Sequence, residues 1–183
     1  MGGTHDNDVL DATANYQIVF EPSDDQTYGF DEFTYPNWSD NYPFITLRDS
    51  SIYRPPYKAM GSRNSDEIIA KIRSTDPIES PYFETSLGEA LTSHQINDTT
   101  YRVELGEYVV TKDLYAFDSE GAKIGKAYLP IYASYVRKLK IVPVNGATPP
   151  ADLQSQINTI FRQTNRAFEV DIAANYDYEY DLN

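Results

Sequence analysis

The residues that could carry chemistry in this chain are few, and their spacing matches no catalytic motif. The 183-residue sequence has two histidines, His5 and His94, and no cysteine. Neither histidine lies in the H-E-x-x-H spacing of a zinc peptidase helix, and no G-x-S-x-G nucleophile elbow occurs. The absence of cysteine also removes disulfides and thiolate ligands. The sequence therefore predicts no catalytic residue, and we expect this chain by itself not to be an enzyme.

Clustered carboxylates offer a second kind of chemistry, the binding of calcium. Asp6, Asp8 and Asp11 lie close together in the run DNDVLD, and carboxylate oxygens are ligands that Ca²⁺ prefers. The run has neither the central glycine nor the terminal glutamate of an EF-hand loop, and acidic runs are usually solvated. We therefore expect a flexible acidic tail over residues 1–14, with calcium at these aspartates as a minor alternative.

Aromatic side chains are the stronger candidates for binding a partner. One stretch rich in rings and turn-forming residues contains Tyr28, Phe30, Phe33, Tyr35, Trp38 and Tyr42. Such rings can stack on a sugar or a peptide, although they more commonly cover a small core. Near the end of the chain, a period of two places alternate tyrosines on one face of a strand and the acids of DYEYD on the other. The candidate partner-binding residues are Tyr35, Trp38, Tyr176, Tyr178 and Tyr180.

Composition favours a mainly β protein whose partners are not nucleic acids. Sixteen Tyr, eight Phe and eleven Pro against two Met suit half-buried pleated surfaces joined by turns. The net charge is −13, and no Lys or Arg precedes Arg48, whereas phosphate binding needs a basic face. No apolar run reaches the roughly 18 residues that suggest a membrane helix.

Strand patterns separated by turn signals predict an Ig-like antiparallel β-sandwich over residues 15–137. Asn15–Pro22 predicts the first strand, and Thr100–Leu105 alternates apolar with charged side chains, which indicates a strand with one buried face. Ser65–Ser74 carries both a helix-cap signal and a period of two, and we interpret it as a strand. The turn signals recur about every 10 residues, as in a sandwich.

The pattern changes in residues 138–183, which predict a strand, a helix and a second strand. Thr148 is a candidate helix cap and Pro149 suits the first helical position. Apolar residues recur at helical spacing at Leu153, Ile157, Ile160, Phe161 and Phe168. Both faces of a parallel strand pair normally need cover, and one long helix covers only one. The sequence therefore predicts an α+β, mainly β protein that ends in an incomplete βαβ segment.

Several stretches, taken in order, resemble exported bacterial zincin-like metallopeptidases: IVFEPSDDQTYGFDEF, YRPPYKAM, SDEIIAKI, FETSLGEALT, LYAFDSEGAKIGKAYLPIYA, KLKIVPVNGA and LQSQINTIFRQTNRAFEVDI. The most specific parts are KIVPVNG and the helical run after it. In that family a β-rich module precedes a catalytic domain that opens with strand, helix and strand, and the zinc motif H-E-x-x-H-x-x-G lies further downstream. Because that motif does not occur here, none of the family's catalytic residues carries over to this chain.

The resemblance implies a non-catalytic accessory or binding module that supports or positions a missing catalytic half. Zinc would then belong to the downstream catalytic domain. The partner would be that segment or another assembly protein, and the location would be secreted or in a bacterial cell envelope, with the cytoplasm left open. Two alternatives remain: a complete structural or interaction protein, such as an adaptor, cargo or surface component, and a calcium-dependent carbohydrate-binding module built on the aromatic loop.

Overall fold

Two separately packed units make up the chain. The computed structural model describes residues 6–33 and 42–176. The first unit extends to Tyr132 and the second begins at Ala133. The sequence placed this junction after Arg137, but one strand runs from Tyr135 to Ile141 and pairs along its whole length. A continuously paired strand belongs to one unit, so the junction precedes it.

The described residues contain fifteen strands and one α-helix. In chain order they are β1 (Tyr16–Glu21), β2 (Phe30–Asp31), β3 (Ile45–Thr46), β4 (Ile52–Tyr53), β5 (Tyr57–Lys58), β6 (Met60–Gly61), β7 (Asp66–Ser74), β8 (Tyr82–Thr85), β9 (Ser93–Asn97), β10 (Thr100–Leu105), β11 (Lys112–Phe117), β12 (Lys123–Leu129), β13 (Ile131–Tyr132), β14 (Tyr135–Ile141), α1 (Leu153–Phe161) and β15 (Arg166–Ile172).

Two sheets form the first unit. One has the order β1-β7-β10-β9 with antiparallel neighbours, and the other has the order β2-β5-β12-β11-β8. In the second sheet β5 and β12 pair in parallel, while the remaining neighbours are antiparallel. The short strands β3 and β4 pair with each other, as do β6 and β13.

The core of the first unit lies between these sheets and follows the period-two pattern of their strands. In β10, Val103 and Leu105 are buried whereas Arg102 and Glu104 are exposed. This result confirms the alternation predicted for Thr100–Leu105. The inward rows of other strands supply further core residues: Ile18, Phe20, Ile68, Ala70, Phe83, Leu114, Ala116, Ala127 and Leu129.

The interpretation of Ser65–Ser74 as a strand is confirmed. β7 covers Asp66–Ser74 and pairs with β1 on one side and β10 on the other. Ile68 and Ala70 are fully buried, and Lys71 is exposed. A central strand uses both of its edges for hydrogen bonds, so sheet pairing outweighs the helix-cap signal at Ser65.

Gly125 lies where the two sheets approach each other closely. A Cβ atom built on Gly125 would lie 2.5 Å from Ile18 O and 3.2 Å from Ala116 Cβ. Real Cβ atoms do not come that close to a carbonyl oxygen, so only glycine lets β12 pass under β1. The residue is therefore required by packing and not by a turn.

The prediction of a flexible acidic tail is wrong for the described residues 6–14. Leu10 and Ala12 are exposed by only 2% and 1% and belong to the core. The amide of Asp11 donates to Lys123 O at 2.7 Å, and the amide of Arg48 donates to Ala12 O at 3.1 Å. The acidic composition of this segment was misleading, because only two of its side chains, Leu10 and Ala12, pack into the core.

The second unit is a βαβ arrangement, as predicted, but its helix is shorter than expected. β14 and β15 pair in parallel from Tyr135 opposite Arg166 to Ile141 opposite Ile172. The helix begins at Leu153 with Asp152 at its N-cap and continues into a 3₁₀ turn at Arg162–Thr164. Thr148 as a cap and Pro149 as the first helical residue were wrong. Pro150 disfavours helical geometry in the residue before it, which delays the helix.

The two faces of the β14–β15 pair differ in chemistry. Leu139 lies opposite Val170 on the face that also carries Phe168, whose ring contacts Phe161 of α1 at 5.0 Å. On the other face, charged residues lie opposite one another, Lys138 across from Glu169 and Lys140 across from Asp171. These four side chains are exposed. This face also carries Val136, which is 60% exposed and lies opposite Ala167, so charged and apolar side chains are mixed on it.

The architecture is α+β and mainly β, with a β-sandwich-like first unit followed by a small βαβ unit. This confirms the predicted fold class. Within residues 6–33 and 42–176, no helix has the length and apolar character needed to cross a membrane.

Candidate functional site

An aromatic groove opens on the first unit where β5 meets the chain that leads into β13. Its cavity volume is about 510 Å³, which is within the range of small ligand sites. The term aromatic groove is used below for the cavity lined by Phe30, Asp31, Tyr42, Tyr57, Pro130 and Tyr132. Aromatic rings and a proline supply most of this lining, and Asp31 is its ionisable carboxylate.

Ring contacts hold the wall of the aromatic groove in place. Tyr57 stacks on Tyr128 with centroids 4.6 Å apart. Tyr42 meets Tyr57 edge to face at 6.1 Å, and Phe33 meets Tyr42 at 5.5 Å. Contacts of this kind stabilise a ring beyond its buried area. The groove wall is therefore ordered before any ligand arrives.

Asp31 places a carboxylate in the lining of the aromatic groove. The Tyr42 hydroxyl donates to Asp31 Oδ2 at 2.5 Å. This hydrogen bond, with burial as a smaller cause, raises the pKa of Tyr42 to about 12, so the hydroxyl stays protonated at neutral pH. The other carboxylate oxygen, Oδ1, has no partner among the described residues.

Gly29 forms an open part of the groove. A Cβ atom built at this position meets nothing within 4 Å, and Gly29 O accepts the amide of Ala59 at 2.9 Å. The backbone is held while the space above it is empty. A Cβ atom added at Gly29 would therefore enter open space.

A buried ion pair supports the groove from inside the sandwich. Successive strand residues face opposite sides, so Tyr57 lines the groove while its neighbour Lys58 points inward. Lys58 Nζ donates to Asp66 Oδ2 at 2.6 Å, to Tyr28 O at 2.8 Å and to Gln26 Oε1 at 3.1 Å. An ammonium has three donors, and all three are used.

Asp66 completes this support by binding the chain that enters the groove. Its carboxylate also accepts the amides of Thr27 at 2.9 Å and Tyr28 at 3.0 Å. Burial lowers the pKa of Lys58 and the contact with Asp66 opposes that change. We call Lys58 and Asp66 the inner ion pair. It fixes the turn that precedes Phe30 and Asp31.

A second cluster of charges lies on the outer side of β11 and β12. Lys126 Nζ lies 2.7 Å from Asp6 Oδ2, 3.3 Å from Asp8 Oδ2 and 3.2 Å from Asp113 Oδ2. The Tyr128 hydroxyl donates to Asp6. We call this group, with Tyr115, the Lys126 cluster. It attaches the N-terminal segment to the second sheet.

Protonation in the Lys126 cluster follows from these contacts. Burial acts to raise the pKa of Asp6 and Asp8, but hydrogen bonds from Lys126, Tyr128 and Tyr115, together with the lysine charge, lower both below the usual value. Burial acts to lower the pKa of Lys126, yet the carboxylates raise it. At neutral pH the lysine is therefore a cation surrounded by carboxylates, and it does not serve as a base.

The calcium candidates fall into two places. Asp6 and Asp8 come together around the Lys126 ammonium, whereas Asp11 lies apart, with Oδ1 3.7 Å from Arg48 Nη2. In the part of the chain that the structure describes, no group of three His, Cys, Asp or Glu residues could hold a metal ion. A calcium ion bound by Asp6 and Asp8 would lie next to the positively charged Lys126 ammonium, which would repel it.

The predicted partner-binding residues are only partly within the described structure. Tyr176 is 57% exposed and forms an isolated parallel bridge with Val144 in the second unit. Tyr35, Trp38, Tyr178 and Tyr180 lie outside the described residues. Sequence reasoning missed Tyr57 and Tyr132 of the groove. Two prolines precede Tyr57, and prolines of this kind occur in extended chain at a sheet edge. That pattern could have identified Tyr57 as a residue at an exposed edge.

An acidic cavity of about 600 Å³ lies elsewhere on the first unit. Its carboxylates include Glu67, Glu89 and Glu104. Glu67 accepts the Ser23 hydroxyl, Lys112 donates to Glu89 and lowers its pKa, and Glu104 lies 2.9 Å from His94 Nε2. Each of these three acids already has a partner within the first unit. His94, the only histidine within the described residues, is accounted for by this contact.

The second unit exposes an apolar surface on its helix side. α1 has no buried residue, and Ile160 and Phe161 are exposed by 69% and 40%. Ile172 of β15 and Tyr135 of β14 are also more than half exposed. We call Ile160, Phe161, Ile172 and Tyr135 the helix-side surface. An amphipathic helix normally buries its apolar stripe, and this one does so only in part.

The class of this protein is defined by its fold, its aromatic groove and its helix-side surface. No protein-family model matches the sequence, and no curated protein matches it. The class defined at this level is an α+β, mainly β protein with a β-sandwich-like unit and a βαβ unit. The groove and the helix-side surface are its candidate binding surfaces.

Proposed function

We propose that the chain is a non-catalytic accessory module that binds another polypeptide segment through its second unit. In the form suggested by the resemblance, that segment is the catalytic half of a zincin-like metallopeptidase, which this module supports or positions. The single observation that carries the proposal is that α1 has an apolar stripe but no buried residue. Uncovered apolar area of this kind favours association with protein.

The chemistry of the helix-side surface fits a polypeptide partner. Ile160, Phe161 and Ile172 are apolar and exposed, and they offer no charge to recognise a polar small molecule. Within residues 6–33 and 42–176, β14 and β15 form a sheet of two strands, and the outer edge of such a sheet can accept a further strand. A partner that adds a strand with apolar side chains on the α1 side would satisfy both features.

Zinc, secretion and a bacterial origin belong to the same proposal and rest on the resemblance alone. In this proposal the zinc is held by the partner's H-E-x-x-H helix, and no residue of this chain is a ligand. The module would then accompany its peptidase to the exterior or the cell envelope.

A complete structural or interaction protein is the second candidate function, and one observation favours it. The face of β14–β15 away from α1 carries Lys138 opposite Glu169 and Lys140 opposite Asp171. A sheet with a charged outer face needs less cover than an ordinary parallel sheet. The calcium-dependent sugar-binding alternative receives less support, because Lys126 lies beside Asp6 and Asp8.

Hydrogen exchange of the free chain tests the proposal. We expect amides of β14 and β15 to exchange much faster than those of β7, β10 and β12, because local stability follows buried apolar contact. Equal, slow exchange in both units would contradict the accessory module and favour the self-sufficient interaction protein. The measurement uses intact chain and peptide-level mass analysis, so each unit serves as a reference for the other.

A dye-binding experiment tests the exposed surface directly. Ile160→Gln should reduce the fluorescence of an apolar dye bound to the chain, because Ile160 is the most exposed apolar side chain of α1. Ile96→Gln is the matched control, since Ile96 is 57% exposed on β9 of the first unit. If only the Ile96 variant lost dye binding, the exposed apolar surface that binds the dye would lie on the first unit, and the proposal would be rejected.

A further inference from the structure

We propose that the aromatic groove of the first unit binds a proline-rich polypeptide segment that carries a basic residue beside its prolines. The site is distinct from the helix-side surface, because every groove residue belongs to the first unit. The two proposals can therefore fail separately. The groove's occupant is argued from its shape, its shortage of polar groups and its charge.

The lining of the groove suits the polyproline II conformation. Phe30, Tyr42, Tyr57 and Tyr132 supply rings, and Pro130 supplies a further apolar surface. Proline-rich segments dock into aromatic-lined grooves because their helix forms before binding and loses little conformational entropy. Their backbone also remains hydrated, so the groove need not provide a ladder of hydrogen bonds.

The shortage of polar groups argues for a peptide over a sugar. A sugar presents a hydroxyl on nearly every ring carbon, and a buried hydroxyl without a partner is costly. The side-chain polar groups of the described lining are the Asp31 carboxylate, to which the Tyr42 hydroxyl already donates, and the hydroxyls of Tyr57 and Tyr132. A proline ring makes no such demand. The same stacking surface therefore accommodates proline with a smaller desolvation cost.

The negative charge of the first unit indicates which residues flank the prolines of the ligand. Among the described residues Asp31 Oδ1 has no hydrogen-bond partner, and a carboxylate at a groove edge pairs best with the planar fork of an arginine. The first unit contains 22 Asp and Glu against ten Lys and Arg up to Tyr132. A field of that sign attracts basic segments and repels acidic ones. The ligand is therefore a proline-rich segment with arginine or lysine.

The groove is also preorganised for binding. Tyr57 is held from outside by its stack on Tyr128 and, through the backbone of β5, from inside by Lys58. Rings that are fixed before binding lose little freedom when a ligand arrives. This ordering distinguishes the groove from a chance patch of exposed aromatic residues.

Fluorescence anisotropy with synthetic peptides tests the inference. The probe is a labelled peptide with the pattern Arg-Pro-x-x-Pro, compared with one in which both prolines are alanine and one in which arginine is glutamate. We expect each change to weaken binding by about tenfold or more. Equal binding of all three peptides would overturn the inference, as would no binding of any.

Groove variants of the full chain locate the site. Gly29→Gln should abolish peptide binding while keeping the wild-type Tm, because the added side chain enters open space. Tyr57→Ala should weaken binding, and Tyr82→Ala should not, since Tyr82 stacks on Phe117 at a different place, with centroids 5.0 Å apart. Unchanged binding by the Gly29 variant would exclude this groove.

Two further measurements distinguish the contribution of the Asp31 charge from that of the aromatic rings, and a peptide ligand from a sugar ligand. Asp31→Asn retains an acceptor for Tyr42 and should weaken the arginine peptide by about tenfold, with little effect on an otherwise identical peptide lacking arginine. A panel of oligosaccharides should not compete. Competition by a sugar, together with loss of that competition in Tyr57→Ala, would assign the groove to carbohydrate and reject the peptide.

Discussion

Lys58 places its ammonium 2.6 Å from Asp66 Oδ2 inside the β-sandwich, where the two side chains are exposed by only 0% and 2%. The pair joins β5 to the start of β7, and through Thr27 and Tyr28 it also holds the chain that enters the aromatic groove. A charge pair this deeply buried stabilises the fold only while both partners are present. It therefore links the stability of the unit to the shape of the groove.

Removing one member of the inner ion pair should strongly destabilise the first unit. Lys58→Met leaves the Asp66 carboxylate buried without a cation, and we expect the free energy of unfolding to fall by about 3–5 kcal/mol. Adding Asp66→Asn to that variant should recover part of the loss, because the unpaired charge is removed. Urea denaturation of the two single variants and the double variant measures the coupling.

The control for that experiment is a surface pair in the same unit. Lys71 Nζ lies 3.7 Å from Glu21 Oε2, and both side chains are substantially exposed. Lys71→Met should cost less than about 1 kcal/mol. If Lys58→Met were as mild as Lys71→Met, the inner ion pair would not be holding the turn before the groove.

Gly125→Ala should destabilise the chain although alanine is the smallest possible addition. Its Cβ would lie 2.5 Å from Ile18 O, and overpacking of this kind costs about 1–3 kcal/mol. Gly29→Ala is the matched control, because its Cβ meets nothing within 4 Å, and its stability should be equal or slightly higher. Thermal unfolding of both variants measures the difference; equal Tm values would contradict the close approach of β12 to β1.

Stability should fall in acid through the Lys126 cluster. Asp6 and Asp8 have folded-state pKa values below their usual value of 3.8. A depressed pKa contributes stability that is complete above the unfolded-state value and is lost as pH falls towards the folded-state value. We expect the free energy of unfolding to decline below about pH 4, with the decline reduced in Lys126→Met.

The same cluster should show a loss of stability at alkaline pH. The carboxylates raise the pKa of Lys126 above its usual 10.5, so its contribution is complete below that value and is lost as pH rises through the folded-state pKa. Urea denaturation between neutral and strongly alkaline pH measures this arm. A Lys126→Met variant with the wild-type profile at both extremes would show that other groups determine the pH dependence.

Calcium should not stabilise the wild-type chain but should stabilise the Lys126→Met variant. In the wild type, an ammonium lies among Asp6, Asp8 and Asp113. Its removal leaves Asp6 and Asp113 without a cation, while Asp8 keeps Lys123 Nζ at 3.3 Å. Carboxylate oxygens that no longer surround an ammonium are ligands that Ca²⁺ prefers. Tm measured with calcium and with chelator checks both statements. A calcium-dependent rise in the wild-type Tm would restore the calcium alternative for DNDVLD.

The local spacing of apolar residues predicted much of the fold. The alternation in Thr100–Leu105 and in Ser65–Ser74 identified β10 and β7, because the period of two is imposed by strand geometry. The helix was foreseen from its apolar spacing, but its first turn was not, because Pro149 and Pro150 act on the backbone in opposite ways. The acidic run before Asn15 concealed Leu10 and Ala12, since composition averages hide single core residues.

The candidate site was much less predictable. The aromatic loop drew attention to Phe30 and Tyr42, but Tyr57 and Tyr132 come from distant parts of the chain and carry no common spacing. Lys58 and Lys126 look like ordinary surface lysines in the sequence. Their burial depends on which carboxylates the folded chain brings within reach.

The sequence by itself determined the balance of strand over helix, the order of the longer elements and the excess of negative charge, because these depend on residue type and short-range period. The tertiary structure decided which face of each sheet is apolar, where the two lysines are neutralised and how four rings and a carboxylate form one groove. Those features depend on contacts between residues far apart along the chain, and such contacts leave no periodic signal in it.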